Sequence, residues 1–119
     1  MQKSINIAID AMGGDNSPYK VIEGINIHSK TSNDVNYKIF GNKNMIDPLI
    51  KKFNLPSSRY DIFHTDKEIQ DSDSALTAAK KGKDTSMWLS IESLKKNNSD
   101  ATVSAGNTGA LFVIAKLNL

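Results

Sequence analysis

The run Ser104-Ala105-Gly106-Asn107-Thr108-Gly109-Ala110 holds small, polar and glycine residues between two apolar segments, Ala101-Thr102-Val103 and Leu111 to Ala115. That order reads as a short buried strand, a turn and the start of a helix. The first turn of a helix leaves backbone N–H groups without partners, and the helix dipole adds partial positive charge there. Gly106 and Gly109 let a ligand come close to the main chain, while Ser104, Asn107 and Thr108 bring short side chains that cap a helix or bind an oxyanion. The chemistry such a loop can do is to hold an anion, phosphate above all. The same residues also make a capped turn with no ligand.

A second stretch repeats the design near the N-terminus. Ile5, Ile7 and Ile9 alternate with Asn6 and Ala8 and end at Asp10, a strand pattern. Ala11 to Pro18 is a turn with the adjacent pair Gly13-Gly14, and Ser17 and Pro18 suit the N-cap and first position of a helix running to about residue 30. Asp10 and Asp15 are anionic and so poor phosphate ligands; with Asn16 they are expected to orient the loops. The spacing Gly13-Gly14-Asp15 is not that of a dinucleotide fingerprint, and the sequence holds no Walker lysine motif.

The elements that must position these loops follow from periodicity. Tyr37 to Phe40 forms a second strand, and Ile46, Leu49, Ile50 and Phe53 recur at helical spacing, with Pro48 expected to restrict where that helix starts. Tyr60 to His64 is a third strand, and Thr65 to Ser72 a polar loop. Asp73 or Ser74 caps a helix over Ala75 to Lys81 that Gly82 stops; Asp84 caps the next, with Met87, Trp88, Ile91 and Leu94 on one face. The order β-α-β-α-β-α-α-β-α predicts an α/β fold, a mostly parallel sheet with helices on both faces. Ligands of open α/β sheets bind beyond the carboxyl ends of the strands, where the loops after Asp10, Phe40, His64 and Val103 must lie. His64 is on that edge and is a candidate acid or base, set against an ordinary structural histidine.

Composition narrows the classes. The 119 residues are 39% hydrophobic and 24% charged, within the range of one soluble domain. With no cysteine, the chain has no disulfide or thiolate metal site of its own, and a net charge of +2 is too small to argue for nucleic acid. Arg59 is the only arginine, which disfavours bidentate arginine recognition of phosphate. Lys80, Lys81 and Lys83 form the one dense basic cluster beside a motif, either a steering patch or a solvated helix end. Met1-Gln2-Lys3-Ser4 leads straight into the first strand with no signal-peptide pattern, so a cytoplasmic protein is expected. The last helix is apolar nearly all round, from Leu111 to Leu119, and predicts burial between layers. The expectation is therefore an incomplete single domain over 1–119, self-associating when alone and inactive by itself.

Ile7-Ala8-Ile9-Asp10-Ala11-Met12-Gly13-Gly14-Asp15-Asn16-Ser17-Pro18 closely resembles the opening of the bacterial phosphate acyltransferase (PlsX) family. The likeness continues at Asp73-Ser74, at Lys83-Asp84-Thr85-Ser86-Met87 and at Ser104 to Ala110; Ala75 and Gly82 depart from the family pattern, where proline and a basic residue are common. The resemblance covers the N-terminal part of a longer enzyme. It implies transfer of a fatty acyl group from acyl carrier protein to inorganic phosphate, giving acyl phosphate for phospholipid synthesis. It also implies an isocitrate/isopropylmalate dehydrogenase-like fold, a homodimer, peripheral attachment to the membrane, and no metal or organic cofactor. On that reading Gly13, Gly14, Ser104, Gly106, Asn107, Thr108 and Gly109 hold phosphate. Lys80, Lys81 and Lys83 guide the acidic carrier protein, and Asn107, Thr108, Lys83 and His64 are the catalytic candidates. The competing readings are a phosphotransacetylase-like enzyme that takes acyl-coenzyme A, and a non-catalytic truncated gene product.

Overall fold

A computed structural model describes residues 4–119; Met1 to Lys3, part of the stretch read for a signal peptide, lie outside the described residues. Its order is β1 (Ile5–Asp10), α1 (Tyr19–Ser29), β2 (Val35–Gly41), α2 (Lys43–Phe53), a 3-10 turn (Ser57–Arg59), β3 (Tyr60–His64), α3 (Ala75–Lys81), α4 (Ser86–Lys95), β4 (Ala101–Ser104) and α5 (Thr108–Asn118). This is the alternation expected from the sequence. All three pairings are parallel and the strand order is β3-β2-β1-β4. The chain builds outward from β1 to β3 and then returns to the other side of β1. Between β1 and β4 the strand order reverses, which is where open α/β sheets place ligands.

The period-two pattern of the strands sorts side chains onto two faces. Ile9, Tyr37 and Ile39 pack with Ile22, Ile25, Ile46 and Ile50 of α1 and α2 in one core. On the other side α4 packs along β1, β2 and β4, and α3 and α5 pack with it. The second core there comprises Ile69, Ala78, Met87, Trp88, Ile91, Ala110 and Ile114. Each fully buried isoleucine of these cores contributes roughly 1.5–3 kcal/mol of burial.

Several helix ends differ from the sequence expectation. Helix α1 starts at Tyr19 with Pro18 in the cap position and no side-chain cap. Ser17 instead donates its hydroxyl to the Gly13 carbonyl at 2.5 Å, bracing the turn. Thr85, not Asp84, caps α4 by accepting from the Trp88 N–H at 3.3 Å. Asp84 is exposed and faces Lys67 at 3.5 Å. Of the two candidates for α3, Ser74 is the cap, accepting from the Thr77 N–H. Pro48 is accommodated inside α2, whose start is set by Asn42 accepting from the Asn44 N–H. In α5 only Ala110 and Ile114 are buried, while Phe112, Leu117 and, just past the helix end, Leu119 are exposed, so the helix is covered on one side.

Candidate active site at the strand crossover

The parallel register puts Asp10 beside Ser104, so the two glycine-bearing loops leave adjacent strands at the same level. Asp10 is 2% exposed and organises the junction. Its Oδ1 accepts from the Ser86 hydroxyl at 2.6 Å and the Met12 N–H at 3.1 Å, and its Oδ2 accepts from the Ser104 hydroxyl at 2.8 Å. Ser104 in turn accepts from the Gly106 N–H at 3.2 Å. One buried carboxylate thus ties together the ends of β1 and β4 and the first residue of α4. The Ser86 hydroxyl was not singled out from the sequence. Its only signal there was its place in Lys83-Asp84-Thr85-Ser86-Met87, and 76 residues separate it from Asp10.

The glycines serve the packing of one loop on the other. A Cβ on Gly13 would sit 2.7 Å from Asp10 Oδ2, 2.9 Å from the Gly106 nitrogen and 3.0 Å from its Cα. Gly14 has φ +94, and a Cβ there would meet the Ala105 carbonyl oxygen at 2.9 Å. Gly13 and Gly106 are therefore small because they touch each other. Asn16 also takes a left-handed conformation, φ 59, which completes the turn, and its carbonyl accepts from the Lys20 N–H. Asp15 is exposed beside it and makes no side-chain hydrogen bond among the described residues.

Asn107 is fully engaged. Its Oδ1 accepts from the Ala110 N–H at 3.1 Å, the N-cap bond of α5. Its Nδ2 donates to the carbonyls of Gln70, Asp71 and Asp73, the last at 2.6 Å. The side chain fastens the loop after β3 to the start of α5, leaving no donor over for an anion. Thr108 and Gly109 are exposed at the first turn, and among the described residues their N–H groups have no acceptor. These two N–H groups, the Thr108 hydroxyl and the positive end of α5 are what the crossover offers to an oxyanion.

The other candidates sit apart. His64 ends the edge strand β3, three strands from β4, or about 14 Å at the usual strand spacing. Its Nδ1 accepts from the Lys43 N–H at 3.0 Å, satisfying the start of α2. Arg59 is likewise structural, donating to the carbonyls of Ser29, Ser32 and Val35. Lys81 pairs with Asp73 at 2.5 Å, leaving Lys80 and Lys83 exposed. Lys83, Lys95 and Lys96 line a depression over Trp88 together with Glu92, which pairs with Lys96 at 2.9 Å, so Lys83 and Lys95 carry its unpaired positive charge among the described residues.

The Lys81 ammonium, followed by the Gln70 N–H, holds the Asp73 carboxyl below its ordinary value of 3.8. A carboxyl held low stabilises the folded state above its unfolded value, and that contribution disappears as pH falls through the folded value. Asp73→Asn is therefore expected to be less stable than the parent at pH 7 and to converge with it in strong acid. Urea unfolding at both pH values measures this; an equal difference at the two would show that the ion pair does not anchor the loop.

A sequence model of the fatty acid synthesis protein family matches residues 5–119. The chain belongs to this family. It is 55% identical over 119 residues to a protein from Pelagibacter ubique named phosphate acyltransferase, covering all of this chain and 35% of that one. Proteins with the same name from Parvibaculum lavamentivorans and Rhodospirillum rubrum are 40% and 39% identical, again over the whole chain. The chain spans about a third of the length of the curated relatives it matches. In this chain the crossover of β1 and β4 brings together three motifs that are far apart in sequence: Asp10 to Pro18, Thr85-Ser86 and Ser104 to Ala110.

Proposed function

We propose that this chain carries the phosphate site of an acyltransferase that moves a fatty acyl group from acyl carrier protein to inorganic phosphate. The observation that carries the reading is the open first turn of α5, fixed beside the β1 loop by the Asp10 hub in a member of the fatty acid synthesis protein family. A phosphate oxygen held by the Thr108 and Gly109 N–H groups forms the new C–O bond at the thioester carbonyl carbon. The C–S bond breaks, and the departing thiolate takes up the proton that the phosphate gives up. The protein contributes placement and charge stabilisation, both of which act only when the donors are already fixed. Asp10 and Asn107 are then positioning residues, and Thr108 is the group that touches phosphate.

The exposed Lys80, Lys83 and Lys95 supply positive charge for an acidic carrier protein, Lys96 being paired with Glu92. The exposed Phe112 and Leu117 of α5 and the adjoining Leu119 suit the homodimer contact or the peripheral membrane contact of a cytoplasmic enzyme. Among the described residues no helix is long and apolar enough to cross a membrane. The reaction that forms acyl phosphate needs no metal or organic cofactor in this scheme.

Two variants test the assignment. Thr108→Ala is expected to weaken phosphate binding by about 1–3 kcal/mol while leaving unfolding unchanged, because its hydroxyl is exposed. Asn107→Ala is expected to weaken phosphate binding and also to cost roughly 0.5–2 kcal/mol of stability through loss of the cap. Phosphate titration followed by calorimetry, with urea unfolding of each variant, separates the two effects. Unchanged phosphate binding in Thr108→Ala would move the anion site elsewhere.

A further inference from the structure

Three serines of α4 are buried, Ser86, Ser90 and Ser93, at spacings of four and three that put them on one face of the helix. Two of them find partners close by. Ser90 donates to the Met87 carbonyl of its own helix at 2.8 Å, and Ser93 is bonded to Ser99 at 2.6 Å. Ser86 instead reaches across 76 positions to Asp10 Oδ1 at 2.6 Å. Nothing in α4 itself calls for that hydroxyl. Thr85 already caps the helix, and the Ser86 N–H is taken by the Lys67 carbonyl at 3.0 Å.

The direction of every hydrogen bond in the junction follows from the carboxylate, which only accepts. Ser86 and Ser104 both donate to it, and the Ser104 oxygen keeps a lone pair for the Gly106 N–H. The Ser86 bond is the shortest of the three to Asp10 and lies in the range of charge-assisted O–H···O bonds. Without it Oδ1 retains only the Met12 N–H at 3.1 Å, and the carboxylate is free to turn about its broad terminal torsion. Oδ2 lies against Gly13, and Gly13 lies against Gly106, so such a turn displaces both loops. Gly106 stands two residues before Thr108, whose N–H opens the first turn of α5.

We infer that Ser86 is a positioning residue of the phosphate site. Through Asp10 and Ser104 it fixes Gly106, and with it the Thr108 and Gly109 N–H groups that follow. The inference rests on the phosphate reading above and gives the Lys83 to Met87 motif a part in that site. The Ser86 main chain holds Lys67 while its side chain holds Asp10, so the loop after β3 is tied to the same junction.

The test uses the 119-residue chain, inorganic phosphate followed by titration calorimetry, and the amide resonance of Gly106 in the labelled protein. Ser86→Ala is expected to weaken phosphate binding at least about tenfold and to move the Gly106 amide proton to lower frequency, as its bond to Ser104 lengthens. Ser86→Cys keeps nearly the same shape but donates weakly, and is expected to shift both readouts in the same direction. It reads the hydrogen bond if the alanine variant unfolds. Ser90→Ala removes an equally buried hydroxyl from the same helix, and both readouts are expected to stay parental. Where Thr108→Ala weakens phosphate binding, parental affinity in the folded Ser86 variants overturns the inference. An equal loss in Ser90→Ala also overturns it, because the effect then comes from the packing of α4. If Gly106 moves in the Ser86 variants alone but phosphate binding does not depend on Thr108, the link from Ser86 to Gly106 stands and the phosphate assignment falls.

Discussion

Asp10→Ala is expected to destabilise the protein by about 3–5 kcal/mol and to abolish phosphate binding, since three donors lose one buried acceptor group. The estimate is smaller than three separate charge-assisted bonds because the Ser86 and Ser104 hydroxyls can turn toward other acceptors. It is still a large part of the 5–15 kcal/mol typical of a whole domain. Asp10→Asn keeps the shape but replaces one acceptor oxygen with a donor, and one serine hydroxyl must then reverse. Its expected cost is about 1–3 kcal/mol. Urea unfolding of the two variants gives the order directly. An alanine variant within 1 kcal/mol of the parent, on the order of one ordinary hydrogen bond, would show that the junction is held by packing and not by the carboxylate.

The second large effect is expected at Gly13. Its added methyl would overlap the Asp10 carboxylate and the Gly106 backbone at 2.7–3.0 Å, and two of the three nearest atoms are main chain. The loops must part, which is expected to cost about 1–3 kcal/mol and to separate the β1 loop from the α5 N-terminus. Gly24→Ala is the informative contrast. No atom lies within 4 Å of the new methyl, and helix propensity favours alanine by up to about 1 kcal/mol, so this variant is expected to be more stable than the parent. Opposite signs at the two glycines, read by thermal unfolding, would confirm that one is small for packing and the other is not. Destabilisation of equal size at both would contradict this account.

The elements were legible because their signals are local. Alternation at Ile5, Ile7 and Ile9, a cap at Asp73 or Ser74 (Ser74 in the structure) and the stop at Gly82 each depend on neighbours a few residues away. The parallel sheet followed from the alternation of strand and helix, and the two loops could be placed on one edge of it. Family membership was also legible, because its motifs are runs of residue types in a fixed order.

What only the tertiary structure decided is the use made of each residue. Asn107 reads from the sequence as an oxyanion ligand, yet its amide is consumed by carbonyls 34 to 37 positions away. His64 reads as an acid or base, yet it satisfies the start of α2 on the far strand. Ser86 carries no local sign of its bond to Asp10. Gly13 and Gly24 are the same residue type, and nothing near either one in sequence reveals that the first faces another backbone and the second open space. Periodicity and capping are short-range, so one chain segment specifies them. Hydrogen-bond partners and steric neighbours across a sheet are set by strand order and register, which exist only once β4 has returned to the side of β1.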